Sequence, residues 1–141
     1  MDYTALTIEL IKNMQALRKI KPHKNINEAL HGESFVLHYI ASSGGDVLPG
    51  DISSEMCVSS ARIAAALNSL ENKGLITRQI DTSDRRKILV GITPEGRALE
   101  EKNRLYVVEE ASKMLAMLGE HDANEYVRIT GRLAELVSKL Q

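Results

Sequence analysis

Two aspartates and two arginines crowd into the stretch Asp81-Thr82-Ser83-Asp84-Arg85-Arg86, with Lys87 directly behind. Short apolar segments flank it, Leu75, Ile76 and Ile80 before, Ile88, Val90 and Ile92 after. That is the pattern of a β-hairpin with a polar tip. Aspartate and serine suit such a tip because their side chains bond the backbone two residues on. A turn has no need of adjacent arginines. A guanidinium carries a planar fork of donors that matches phosphate, and arginine is favoured in narrow minor grooves of DNA. Asp81 and Asp84 are therefore expected to stabilise the tip. One arginine should pair with an aspartate while the other stays free for the groove. The residue types do not divide these roles; Arg86 is favoured as the groove residue, with Lys87 beside it.

A second constellation lies just upstream. Ser59 is a good N-cap for a helix that runs to Lys73. Ile63, Ala66, Leu67 and Leu70 share one face of it, and Gly74 is suited to its C-terminal stop. Ser59, Ser60, Ala61, Arg62, Ala65 and Asn68 form the other face, small or polar throughout. Such a face can approach base edges in a major groove. Arg62 can fork to a guanine, and Asn68 can reach a phosphate or a base. A short helix over 49–56, opened by Pro49, precedes it across a tight Cys57-Val58 turn. The two helices form a helix-turn-helix. With the hairpin behind them the unit is a winged helix-turn-helix, mainly α with a small β-hairpin. An ordinary solvated helix face would look similar; the arginine-tipped hairpin favours DNA.

Other chemistry finds little support. No G-x-S-x-G, H-E-x-x-H or phosphate-loop motif is present, so no enzyme is expected. His23, His31, His38 and His121 include no i, i+4 pair, so neither a metal nor a cofactor is expected. Cys57 lies between Met56 and Val58 and reads as a packed, inert thiol. Its one feature in favour of redox sensing is the helix start close behind it. The alternative to DNA binding is a winged-helix module that binds a protein.

Length and composition set the frame for these sites. A chain of 141 residues with 43% hydrophobic and 26% charged residues suits one soluble domain. No apolar run approaches a membrane span and no leader is visible, so a cytoplasmic setting is expected. A single cysteine excludes an intrachain disulfide and fits a reducing compartment. The net charge of −1 is poor for a nucleic-acid binder. From Val47 to Ile92 six basic residues face five acidic ones, a balance of +1. DNA attraction must then come from a few well-placed cations, doubled by dimerisation.

The remaining elements are helices. Leu6, Leu10, Met14 and Leu17 mark one face of a helix over 2–19, which Lys21-Pro22 ends. Asn25 and Glu28 suit a short turn. Phe35, Val36, Tyr39 and Ile40 mark a helix over 31–42. Thr93-Pro94-Glu95 opens a helix that runs to Leu118, about 39 Å at 1.5 Å per residue. A last helix covers 122–140, with Ile129, Leu133, Leu136 and Leu140 on one face. The first helix, the long helix from Thr93 and the last helix are all amphipathic, and the long one outruns the small winged body. A second copy of the chain is the simplest partner for them; an intrachain three-helix bundle is the alternative to a dimer. Residues 1–30 and 93–141 are therefore expected to form a helical dimerisation region, and 31–92 the winged helix-turn-helix, within one structural domain.

The motifs also occur in a recognisable order. Leu70-Glu71-Asn72-Lys73-Gly74-Leu75-Ile76 matches L-E-x-x-G-L-[IV]. Asp81 to Arg86 matches D-x-x-D-R-R, and Ile92-Thr93-Pro94-Glu95-Gly96 matches L-T-x-x-G with Ile for Leu. Over Ile52 to Gly96 the chain resembles the MarR family of bacterial transcription regulators. The resemblance implies a winged-helix homodimer, a repressor, that binds a pseudo-palindromic operator and is released by a small ligand or an oxidant. It also implies a site for a small aromatic or amphipathic ligand between the dimer helices and the winged helix, where Leu17, Phe35, Tyr39 and Ile63 are the expected lining. Two positions depart from the family pattern. Ala65 stands where many members have arginine, and Cys57 stands where glycine is usual, which implies a left-handed backbone held at some cost.

Overall fold

The computed structural model describes residues 1–140, and the side chains of all of these except Pro22, Leu30 and His31. The expectation for His31 thus lies outside the described side chains. The core is built from short amphipathic pieces. Helix α3 (Glu33–Ser42) buries Val36, Leu37 and Ile40, α4 (Pro49–Met56) buries Ile52, and α5 (Ser60–Asn72) buries Ile63, Leu67 and Leu70. The strands β1 (Ile76–Ile80) and β2 (Ile88–Ile92) add Ile76 and Val90, and Leu75 and Val47 close the cluster. The strands pair antiparallel with Ile76 opposite Ile92 and Ile80 opposite Ile88. Val47 bonds Val90 in both directions, at 3.0 and 2.8 Å, so the loop before α4 is stitched to the hairpin.

Local signals set the ends of these elements. The Ser59 hydroxyl accepts from the Arg62 N–H at 3.2 Å and starts α5. Gly74, at φ +73°, turns the chain from α5 into β1. Thr93 accepts from the Gly96 N–H at 3.0 Å and donates to the Gly74 carbonyl at 2.7 Å. It therefore caps α6 (Pro94–Leu118) and ties it to the end of α5. Gly96 is required by contact: a Cβ there would collide with the Leu75 carbonyl.

Two outer helices differ from this body. Neither α1 (Thr4–Leu17) nor α7 (Glu120–Ser138) buries a single residue. Leu6, Leu10, Met14, Ile129, Leu133 and Leu136 are all exposed. No helix of the described residues is long and apolar enough to cross a membrane.

Three sequence expectations change. Pro22 ends one helix but also opens another, α2 (Lys21–His31), where only a turn around Asn25 and Glu28 was expected. Proline is well placed in a first turn, where its missing N–H costs nothing. Helix α2 packs on α3 and α6, and the Asn25 amide donates to the Tyr106 hydroxyl at 3.1 Å. The last helix starts at Glu120, directly after Gly119. In β2 only Val90 is fully buried and Ile88 is exposed, because the hairpin projects beyond the body that would cover it.

Candidate nucleic-acid interface

Burial divides α5 cleanly. Ile63, Leu67 and Leu70 are buried, and Ser59, Ser60, Ala61, Arg62, Ala65 and Asn68 are exposed on the other side. The turn before α5 is tight because Cys57 is left-handed, at φ 54° and ψ 41°. The Ser53 hydroxyl donates to the Val58 carbonyl at 2.7 Å and braces that turn. Cys57 itself is exposed, not packed. A residue forced into a surface turn points its side chain outward, and the apolar neighbours in sequence face the core instead: Met56 and Val58 pack against it.

The hairpin tip shows how its charges are used. Asp81 accepts from the Ser83 N–H at 2.9 Å and hydroxyl at 2.7 Å. Asp84 accepts from the Arg86 backbone N–H at 3.1 Å, and its carboxylate takes the Arg86 side chain through Nε at 3.1 Å and Nη2 at 3.2 Å. Hydrogen bonds from Arg86 hold the Asp84 carboxyl below the usual range, and those from Ser83 do the same for Asp81. Both aspartates stabilise the tip. The division of the arginines is the reverse of the expectation for Arg86. Arg86 is the locked member, since the carboxylate two residues back is within reach of its fork. Arg85 is exposed and pairs with no carboxylate among the described residues. Lys87 is exposed as well.

Three of the six basic residues between Val47 and Ile92 are thus committed inside the molecule: Lys73 to Glu33, Arg78 to Glu71 and Arg86 to Asp84. Arg62, Arg85 and Lys87 remain without a carboxylate partner among the described residues. The sequence reading missed the role of Arg78. Its Nε and Nη2 fork onto Glu71 at 3.1 and 2.9 Å, and Nη2 also reaches Asn68 Oδ1 at 2.7 Å. The signal was present as opposite charges on α5 and β1, but only the hairpin geometry brings them together.

Comparison with known proteins agrees with this arrangement. The MarR family model matches residues 31–87. The chain is 28% identical to the uncharacterized HTH-type transcriptional regulator YwhA of Bacillus subtilis (strain 168), over 96% of this chain and 100% of that protein. Over residues 31–87 the chain is of the MarR type. Among solved structures of similar fold, the YusO protein of Bacillus subtilis is 25% identical with a TM-score of 0.68, covering 96% of this chain and 99% of that one. Streptococcus pneumoniae FabT, solved in complex with DNA, is 21% identical with a TM-score of 0.70, covering 99% of this chain and 100% of that one. The matched residues are those of α3, α4, α5, β1 and the hairpin tip, and β2 completes the winged helix-turn-helix of this chain.

A cavity of about 260 Å³ lies between α2, α3 and α6, lined by Phe35, His38, Glu100, Arg104, Val107 and Val108 among others. Of the residues expected to line a ligand site, only Phe35 borders it. Ile63 is wholly committed to the core, Tyr39 packs against that core, and Leu17 lies on the exposed face of α1. Helix α2 contributes Ala29 to this lining, α3 contributes Ser34, Phe35 and His38, and α6 supplies the rest. His38 Nδ1 contacts Glu100 Oε1 at 2.7 Å at the cavity edge, so this wall is polar on one side. Among the described residues no cluster of three His, Cys, Asp or Glu side chains gathers.

Proposed function

We propose that the chain is a non-enzymatic, cytoplasmic repressor that binds a pseudo-palindromic operator as a homodimer and is released by a small ligand. The observation that carries the reading is the division of the tip arginines beside a polar helix face. Arg86 stiffens the hairpin through Asp84 and leaves Arg85 free to enter a minor groove. Helix α5 presents Ser59, Ser60, Ala61, Arg62, Ala65 and Asn68 to the adjacent major groove. Residues 31–92 form the reading head. Residues 1–30 and 93–141 form the dimerisation region, because α1 and α7 expose apolar faces that a second copy would cover. FabT, solved with DNA, supports the DNA reading by likeness of fold. The cavity between α3 and α6 suits a small aromatic or amphipathic molecule, with apolar contacts from Phe35 and Val107 and polar ones from Arg104 and His38.

The charge count makes the reading quantitative. Between Val47 and Ile92 three cations, Arg62, Arg85 and Lys87, have no carboxylate partner among the described residues, and a dimer would present six of them. The logarithm of the binding constant should then fall with log salt at a slope of about −5. Fluorescence anisotropy on a duplex from upstream of the chain's own gene, between low and moderate salt, measures it. Salt-insensitive binding, or none to any duplex, overturns the DNA reading. Sedimentation at micromolar concentration tests the dimer, which a clean 15.6 kDa species would exclude.

A further inference from the structure

We propose that Arg78 is a positioning residue that fixes Asn68 as a hydrogen-bond donor toward DNA; this rests on the DNA reading above. Arg78 belongs to the hairpin, yet it does not project with it. Its side chain is only 27% exposed and folds back over α5. There it meets two residues one helical turn apart, Asn68 and Glu71. Glu71 takes the fork in a two-point pair, at 3.1 Å from Nε and 2.9 Å from Nη2. That pair neutralises Arg78 and holds the guanidinium plane still. The same contact keeps the Glu71 carboxyl below the usual range, so the pair stays charged at neutral pH.

The consequence falls on Asn68. A guanidinium has donors and no acceptor. The Asn68 atom 2.7 Å from Nη2 must therefore be the carboxamide oxygen. The amide nitrogen, with its two hydrogens, is left on the open side of an exposed residue. A free asparagine reads adenine with oxygen and nitrogen together. Here the oxygen is engaged by the hairpin and the nitrogen alone is presented. Asn68 then seeks an acceptor that carries no hydrogen, either a phosphate oxygen or a base-edge acceptor such as guanine N7 or O6. The far side of α5 is braced too: Glu33 accepts from Ser69 at 3.1 Å and from Lys73 at 2.8 Å. The stretch that carries Asn68 is therefore clamped between α3 and the hairpin.

The test is a double-mutant cycle on two duplexes, one selected by the wild-type protein from a random pool and one scrambled. Asn68→Ala should weaken binding of the selected duplex about tenfold, and Arg78→Ala about as much. In the Asn68→Ala background Arg78→Ala should add nothing, and the salt slope should not change further. A loss confined to the selected duplex identifies a base-edge acceptor; an equal loss on both identifies a phosphate oxygen. Asn68→Asp keeps the acceptor for Arg78 but removes the donor, so its loss should exceed that of Asn68→Ala with no fall in melting temperature. Should Arg78→Ala fail to fold, Glu71→Gln loosens the same fork, and its smaller loss should also vanish in the Asn68→Ala background. A loss from Arg78→Ala that persists without the Asn68 amide, with the slope reduced by about one per subunit, would make Arg78 a direct phosphate contact and overturn the proposal. Unchanged binding by Arg78→Ala would overturn it alone; a wild-type protein that binds neither duplex would remove the DNA reading with it.

Discussion

Leu67 and Leu133 are both leucines on the apolar face of an amphipathic helix, yet Leu67 is 1% exposed and Leu133 is 60% exposed. The same contrast separates the winged body from the outer helices α1 and α7. In the body, two ion pairs join different elements: Glu33 of α3 to Lys73 behind α5, Glu71 of α5 to Arg78 of β1. In α7 the ion pair is local, Arg128 to Glu125 three residues away, and supports only the helix that contains it. Amphipathicity thus does not distinguish the two regions. What distinguishes them is whether a partner surface exists within the chain. The body completes itself; the outer helices carry apolar faces addressed to something else.

The largest test of that contrast removes one side of it. Deleting residues 122–141 takes away most of α7 with its exposed apolar face, Ile129, Leu133 and Leu136 among it. Dimerisation should be lost in sedimentation, and operator affinity should fall by more than a hundredfold because two half-sites are no longer linked. Solubility should fall as well, since the matching faces of α1 and α6 stay bare. A truncated chain that still sediments as a dimer would show that α7 is not the part addressed to the partner.

The body was the legible part of the sequence, for a physical reason. Its elements are short, each with its own start and stop: Pro49, Ser59, Gly74 and Thr93 stand where the structure uses them. The tip was legible as a cluster, because Asp81 and Asp84 act within two residues of themselves. The partition between Arg85 and Arg86 was not, since both flank the same carboxylate in sequence and only rotamer geometry selects one. Helix α2 was missed because proline signals both an end and a beginning. The cavity wall was not legible either, because most of its residues come from α6, more than 60 residues along the chain from Phe35 and His38. The Arg78 clamp lay beyond reach because its partners meet across the Gly74 turn between α5 and β1 rather than along one helix.

A smaller effect separates the two tip arginines. Arg85→Ala removes an unpaired cation, so the salt slope of the dimer should become shallower by about 2. Arg86→Ala removes a cation already balanced by Asp84. Its slope change should be smaller, with affinity falling because the tip loses its brace. Neither change should move the melting temperature by more than about 2 °C, since both side chains are exposed. Acid sharpens the same distinction. Asp84 titrates lower in the folded chain than in the unfolded one, so its stabilisation is present above the unfolded value and fades as pH falls through the folded one. Tip ordering in wild type should therefore weaken on strong acidification, and in Arg86→Ala that dependence should shrink to the part due to Asp81 and to the backbone N–H on Asp84. Equal slope changes for the two variants would erase the division of roles.

The smallest effect lies at Cys57, where the body departs from its own good fit. A non-glycine residue at φ 54° keeps its Cβ near the following carbonyl, a conformation that costs about 1–2 kcal/mol. Cys57→Gly relieves that contact but adds freedom to the unfolded chain, worth about 0.5–1 kcal/mol in the opposite direction. The net gain should be about 0.5–1 kcal/mol, a rise of about 1–4 °C in melting temperature. Cys57→Ser keeps the Cβ and should leave the melting temperature within about 1 °C of wild type. The thiol donates only a weak contact to the Ser54 carbonyl at 3.7 Å, so serine loses little. DNA affinity should be unchanged in both variants, with or without peroxide, because no second cysteine exists in the chain to resolve an oxidised thiol. A glycine variant that melts lower than wild type would mean that the turn draws its stability from the Cys57 side chain, and the strain assigned to this position would be absent.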